Sequence, residues 1–259
     1  LNRPVDLALV GEARATLRAL IEAVQRLRPP LPERPELAEY RATQQAWLAQ
    51  FEEQAASSKR PIHPLRLVRD VRAFFPREAI CVVDGGNTTV WAHYLNRVYA
   101  PRAFLWAADS GHLGTGLPYA IGARLARPDR PVYAICGDGA FGLNLQELET
   151  AARLKVPFVA VIANDGQWGM IKGAQLAAYD GAYVGVDFAD VRYDQVAQAM
   201  GCYGERVEEP DEITPALERA AASGRPAVID VVVDSWGNLT PPDLENLDAV
   251  WMEGCDLPW

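Results

Sequence analysis

Residues 132–166 read VYAICGDGAFGLNLQELETAARLKVPFVAVIANDG, and their pattern decides the fold class. An apolar run, Val132 to Ile135, leads into Gly137-Asp138-Gly139-Ala140. A helical stretch from about Leu143 to Leu154 follows, and a second apolar run, Phe158 to Ala163, ends in Asn164-Asp165-Gly166. Runs this apolar leave no polar face for solvent, so each predicted strand must be covered on both sides. Two such strands joined through a helix form a parallel crossover unit, which brings the loops after both strands to one edge of the sheet.

The same alternation continues outward. Leu65 to Phe75, Gly116 to Leu125, Tyr193 to Met200 and Ile213 to Ala222 have helical spacing, whereas Ile80 to Val83 and Val228 to Val233 are short β-branched runs. The expected fold is α/β, a doubly wound parallel sheet with helices on both faces. Such sheets place ligands at the carboxyl ends of their strands. The loops after Val83, Ile135 and Ala163, all rich in Gly, Asp or Asn, are therefore where chemistry is expected.

Upstream, Val5 to Val10 reads as a short buried strand and Ala13 to Leu27 as a helix. Four prolines between Pro29 and Pro35 predict an extended linker, and Leu37 to about Ala56 is helical with Trp47, Leu48 and Phe51 on one side. Downstream, Ser235 to Trp259 is acidic, irregular and holds three Trp; it reads as a lid or an interface cover.

Composition narrows the function. The 259 residues carry 25 Lys and Arg against 34 Asp and Glu, a net charge of −9, with 49% hydrophobic and 23% charged residues. That is an ordinary globular balance, and it argues against nucleic acid or an anionic membrane surface as a partner. No apolar run approaches the roughly 20 residues of a spanning helix. The four Cys are scattered without a C-x-x-C, which reads as reduced thiols in a cytoplasmic protein without a zinc site.

The chemistry is expected in the three loops. Glycines on both sides of Asp138 let backbone approach a ligand closely, and free amides at the following helix start favour anionic oxygen. A lone G-D-G is also a common turn. Asp165, 27 residues further on, closes the next strand, so two carboxylates converge at one edge as hard ligands suited to magnesium. Asp84-Gly85-Gly86-Asn87-Thr88-Thr89 reads either as a diphosphate cradle or as a turn with a helix cap.

The run from Gly137 through Asn164-Asp165, with Gln146-Glu147-Leu148 and Pro157 between, resembles the cofactor fingerprint of the thiamine diphosphate enzymes, the superfamily of acetolactate synthase, 2-hydroxyacyl-CoA lyase and benzaldehyde lyase. The resemblance implies a thiamine diphosphate-binding fold, with magnesium held by Asp138, Asp165 and the main-chain carbonyl of Gln167. The family has a second Asn where this chain has Asp165, and a shift of one residue would make Asn164 the ligand instead. Gly111-His112-Leu113-Gly114-Thr115-Gly116 looks like the segment whose Gly carbonyl, here Gly111, accepts the aminopyrimidine amine, and whose apolar wedge, here Leu113, bends the cofactor. Leu113 reads equally well as core. By the same resemblance Gly86, Asn87, Thr88, Gly137, Gly139 and Ala140 bind the cofactor, and Trp168, Gly169 and Met170 lie beside it; His112 is an acid or base candidate or a packing residue.

The implied domains are 1–28, the end of a central domain; 29–60, a linker and surface helix; 61–234, the pyrophosphate-binding domain; and 235–259, the tail. The pyrimidine-binding domain, with the glutamate that drives proton transfer, has no match here, so a longer polypeptide or a second chain in an oligomer is expected to supply it. The implied reaction breaks or makes a C–C bond next to a carbonyl, the thiazolium serving as electron sink, on a 2-oxo or 2-hydroxy acid taken free or as a coenzyme A thioester. Asp84 to Thr88 leans towards the 2-hydroxyacyl-CoA lyases, and Gln146-Glu147-Leu148 with Gly169-Met170 towards acetolactate synthase; the lyase branch is preferred, with an acetolactate synthase-like transferase or a 2-oxoacid decarboxylase as the alternative. A non-catalytic regulatory or scaffold subunit is the alternative of another class.

Overall fold

The computed structural model describes residues 5–27, 34–107 and 110–239. The chain forms two compact units, Leu1–Gln50 and Phe51–Trp259. The first contains α1 (Ala13–Leu27) and α2 (Pro35–Ala49), neither with a buried residue. Leu17, Leu20, Ile21 and Val24 make an exposed apolar stripe along α1. The strand expected over Val5 to Val10 does not form, and these residues are exposed. A strand needs a neighbouring edge to hydrogen-bond, and the described part of this unit offers none.

The second unit begins with α3 (Glu52–Ala55) and α4 (Pro64–Phe74), then β1 (Ile80–Asp84), α5 (Asn87–Leu95), β2 (Phe104–Leu105) and α6 (Gly116–Ala126). After these come β3 (Val132–Gly137), α7 (Asp138–Leu143), α8 (Glu147–Leu154), β4 (Val159–Asn164), α9 (Gly169–Ala178) and α10 (Tyr193–Ala199). The chain continues with β5 (Tyr203–Val207), α11 (Ile213–Ala222), β6 (Ala227–Val232) and α12 (Ser235–Leu239). The six strands form one parallel sheet in the order β2-β1-β3-β4-β6-β5.

Strand periodicity builds the two layers. Tyr133 and Ile135 of β3 and Val159, Val161 and Ala163 of β4 face a core shared with α3, α4, α5 and α11. Ala134, Cys136, Ala160 and Ile162 face the opposite core, shared with α6, α8 and α10. The helices follow the same logic. Ile213, Ala216, Leu217 and Ala220 recur at three and four residues on α11 and are all buried. Pro64 starts α4, where His63 Nδ1 accepts from the Leu65 amide as its cap.

The helix expected from about Leu143 to Leu154 begins only at Glu147, because the turn at 144–146 separates it from the shorter α7 ahead of it. Phe51 and Ala55, from the stretch ahead of Pro61, belong to the core of the second unit. Cys81, Cys136 and Cys202 are buried free thiols. No helix among the described residues is long and apolar enough to cross a membrane. Most of the tail assigned as lid or cover lies outside the described residues, as does much of the Pro29 to Pro35 stretch.

Candidate functional site

Register places the loops. Asp84 of β1 pairs with Cys136 of β3, and Gly137 of β3 pairs with Ala163 of β4, so the chain leaves all three strands side by side at their carboxyl ends. The order of connection reverses between β1 and β3, since β2 lies on the far side of β1. That switch opens a crevice between the loops. Its floor is backbone against backbone. Gly85 has φ +144°, and a Cβ there would stand 3.2 Å from the Gly137 amide nitrogen, so only glycine fits.

Three helices start at this crevice: α5 after Gly86, α7 after Gly137 and α9 after Trp168, none with a side-chain cap. The free amides of a first helical turn carry the positive end of the helix dipole. Three of them around one cleft of about 520 Å³ give main-chain donors suited to an anion, although the Gly139 amide of α7 is engaged by the Asp138 carboxylate. The cleft brings together Gly86, Asn87 and Thr88 from the first loop, Gly111 and Leu113, then Gly137, Asp138, Gly139 and Ala140 from the second. Asp165, Gln167, Trp168, Gly169 and Met170 come from the third. A Cβ on Gly139 would meet Trp168 Cζ3 at 2.5 Å, so the missing side chain is what lets the indole lie across the start of α7. The indole is also held edge-on by Phe188, at 5.0 Å between ring centres.

Asp138 and Asp165 are neighbours. Asp138 accepts from the Gly139 amide at 2.7 Å and, through its other oxygen, from the Gly166 amide at 2.8 Å. Asp165 Oδ2 accepts from Gln167 Nε2 at 3.1 Å and Asn238 Nδ2 at 2.9 Å, and the two carboxyl groups are close enough to shift each other's protonation. Burial pushes both above the ordinary carboxylate range, and the Asp165 charge raises Asp138 further. Two acids that cannot both ionise cheaply share a proton, and a divalent cation can take its place. No cluster of three His, Cys, Asp or Glu that could hold a metal occurs among the described residues, so carboxylates here come as a pair.

Of the alternatives at 164 and 165, the structure brings Asp165 into the cleft. Asn164 is turned into the protein, where its Nδ2 donates to Asp230 Oδ1 at 2.9 Å and to the Val191 carbonyl at 3.2 Å. Asp230 is fully buried and also accepts from the Tyr193 amide at 3.2 Å and from Arg206 at 3.3 Å. It anchors the strand end that carries Asp165.

The loop bearing Leu113 is clamped from two sides. Asp84 Oδ2 accepts from the Gly114 and Gly116 amides at 3.0 and 2.7 Å, and Asn144 Nδ2 donates to the Gly114 carbonyl at 2.7 Å. Leu113, half-buried, faces the cleft. His112 does not. Gly111 turns the chain at φ +61°, and the exposed imidazole pairs with the hydroxyl of Ser110, which is itself on the cleft wall. Sequence reasoning missed Asn238, which lines the cleft and reaches Asp165 from 73 residues away. No local pattern could have found it. Trp106 and Ile171, also on the walls, carry no motif either.

A family description, the thiamine pyrophosphate enzyme C-terminal TPP binding domain, matches residues 84–231. The acetolactate synthase large subunit of Mycobacterium tuberculosis is 37% identical over 233 residues, 90% of this chain and 42% of that protein. The 2-hydroxyacyl-CoA lyase 2 of Caenorhabditis elegans is 37% identical over 163 residues, 62% of this chain and 25% of that protein. Among solved structures, the thiamine diphosphate-dependent 4-hydroxybenzoylformate decarboxylase of Rhodococcus jostii superposes with a TM-score of 0.71 at 30% identity, over 89% of this chain and 41% of that one. The chain thus spans about two fifths of the length of the synthase and the decarboxylase.

Proposed function

The chain belongs to the thiamine pyrophosphate enzyme family, with thiamine diphosphate as its cofactor, and from that premise we propose that it forms the pyrophosphate-binding half of a magnesium-dependent enzyme that breaks or makes a C–C bond next to a carbonyl. One observation carries the reading: an adjacent pair of carboxyl groups, Asp138 buried and Asp165 half-buried, sits where three helix starts without a side-chain cap meet. The pair alone would repel a diphosphate, and the helix starts alone would leave the pair unneutralised. A divalent cation and a diphosphate together satisfy both.

In this reading Asp138, Asp165 and the main-chain carbonyl of Gln167 hold Mg2+. Amides at Gly86, Gly137, Gly139 and Ala140, with Asn87 and Thr88, hold the diphosphate. The Gly111 carbonyl takes the aminopyrimidine amine, and Leu113, fixed by Asp84 and Asn144, sets the bend of the cofactor. Bound thiamine diphosphate supplies an electron sink for carbon chemistry beside a carbonyl. Trp168, Gly169 and Met170 wall the cleft together with Val90 and Ile171, and this apolar lining keeps water from the reacting carbon.

The substrate is a 2-oxo or 2-hydroxy acid, with a 2-hydroxyacyl-CoA lyase-like cleavage as the first reading. An acetolactate synthase-like carboligation is the second, favoured by the likeness to the synthase over 90% of the chain. The pyrimidine-binding domain and its glutamate come from the rest of a longer polypeptide or from another chain of an oligomer. Calorimetric titration of the chain with thiamine diphosphate tests the core of this. Binding is expected only with Mg2+ present, and Asp165→Ala should weaken it about tenfold or more. Equal binding without the cation, or an unchanged affinity in the variant, overturns the assignment. No binding to the complete assembly leaves the scaffold reading.

A further inference from the structure

We propose that Asn238 is a positioning residue of the cation site, holding the Asp165 carboxylate in place and tying α12 to the state of that site; this rests on the functional reading above. Asn238 is 2% exposed and lines the cleft. Its Nδ2 donates to Asp165 Oδ2 at 2.9 Å, beside the Gln167 amide at 3.1 Å. An ionised carboxylate can only accept, so the amide nitrogen has to face it and Oδ1 is turned the other way. That oxygen is buried and has no partner among the described residues.

Asn87 repeats the arrangement. It is 3% exposed, its Nδ2 reaches the Leu239 carbonyl at 3.5 Å, and its Oδ1 is buried without a partner among the described residues. The two amides gather around Gly169, where a Cβ would stand 3.1 Å from Asp165 Oδ2, 3.4 Å from Asn87 Nδ2 and 3.8 Å from Asn238 Nδ2. Buried carbonyl oxygens without donors are costly, and the waters of a hydrated hard cation at this site would supply donors to them.

The backbone around Asn238 is stitched to the same place. Trp91 Nε1 of α5 donates to the Asn238 carbonyl at 3.4 Å, and Gln167 Nε2 donates to the Ser235 carbonyl at 2.9 Å. Whatever fixes Asp165 and Gln167 therefore also fixes α12. Outer partners of this kind set the orientation of a metal ligand without touching the metal.

The test uses the full chain with Asn238→Ala, and Leu239→Ala as its comparison. Leu239 is 1% exposed on the same helix, so its truncation loosens the segment without removing a polar partner of Asp165. The readouts are the Mg2+ dissociation constant at saturating thiamine diphosphate, the melting temperature, and hydrogen exchange over residues 234–239 with and without Mg2+. Asn238→Ala should weaken Mg2+ about tenfold or more and abolish the response of that segment to the cation, whereas Leu239→Ala should lower the melting temperature and leave the constant within about twofold. Unchanged Mg2+ binding in Asn238→Ala, or equal weakening in both variants, overturns the proposal. A parent chain that binds neither cation nor cofactor would instead remove the functional reading, and this proposal with it.

Discussion

Replacing Asp165 by Asn should make the cation-free protein more stable while loosening its hold on Mg2+. Asp165 Oδ2 already accepts from Gln167 and Asn238, and the charge of its carboxyl group acts on Asp138. An Asn side chain of the same shape keeps its oxygen toward the two donors and can turn its amine to Asp138, so a like-charge contact becomes a hydrogen bond. Two unit charges at about 4 Å cost about 4 kcal/mol at an effective dielectric near 20. Proton sharing by the pair and hydration through the open cleft reduce that to about 1 to 2 kcal/mol, or about 2 to 8 °C in melting temperature for a unit of this size. The sign depends on pH. Both carboxyl groups titrate above their ordinary value in the fold, so the folded state binds protons more tightly than the unfolded one, and stability falls as pH rises above about 4. The advantage of Asp165→Asn should therefore be largest near pH 8 and fade towards pH 4. Thermal melts in chelator across that range, with Mg2+ titrations beside them, provide the assay. A variant no more stable than the parent at pH 8 would mean that the two acids do not confront each other, and the metal assignment would lose its physical basis.

Gly139→Ala should cost about 1 to 3 kcal/mol and shift Trp168 fluorescence, because the new methyl group would stand 2.5 Å from the indole; an unshifted spectrum with parental stability would show that Trp168 does not lie there. Gly204→Ala should lower the melting temperature more steeply, since its Cβ would fall 2.0 Å from the Asp194 carbonyl oxygen, which is backbone and cannot step aside; parental melting would contradict the close approach of α10 to β5. Asp230→Ala should cost about 2 to 4 kcal/mol and also weaken Mg2+ binding, as Asn164, the Tyr193 amide and Arg206 lose their buried acceptor; denaturant melts and cation titration read both. Burial holds the His63 imidazole below its usual range, so the unfolded chain takes up the proton first and stability should fall as pH drops through about 6.5. His63→Asn, which can keep the cap on Leu65, should flatten that slope, and an unchanged slope would exclude His63 as its source.

The parts of the fold legible in the sequence are those whose environment is one-sided. β1, β3, β4 and β6 are buried along nearly their whole length, so apart from Asp230 inside β6 and the polar ends Asp84 and Asn164 their residues are small or apolar, and they read as strands. The edge strands do not announce themselves. β2 has two half-buried residues, and β5 is Tyr-Gly-Glu-Arg-Val with only Val207 buried; edges need little hydrophobic surface. α5 begins Asn-Thr-Thr-Val, residues with weak helix preference, and reads as a turn until Trp91 is seen in the core. α9 has a single buried residue, Gly173, so no apolar stripe marks it. At the site, Asp138 and Asp165 were legible because each follows a strong strand, and their adjacency follows from parallel register. Asn238 and Asp230 act across 73 and 66 residues, a distance over which spacing conveys nothing.

The three helix starts have a consequence for how this cleft can diversify. Attraction lodged in peptide groups is out of reach of ordinary point mutation, since exchanging a side chain leaves the main chain where it was. Walls such as Trp106, Met170 and Ile171 can drift toward new substrates while the grip on a doubly charged tail persists. Losing that grip would take a broken helix or a displaced strand, and so a different protein.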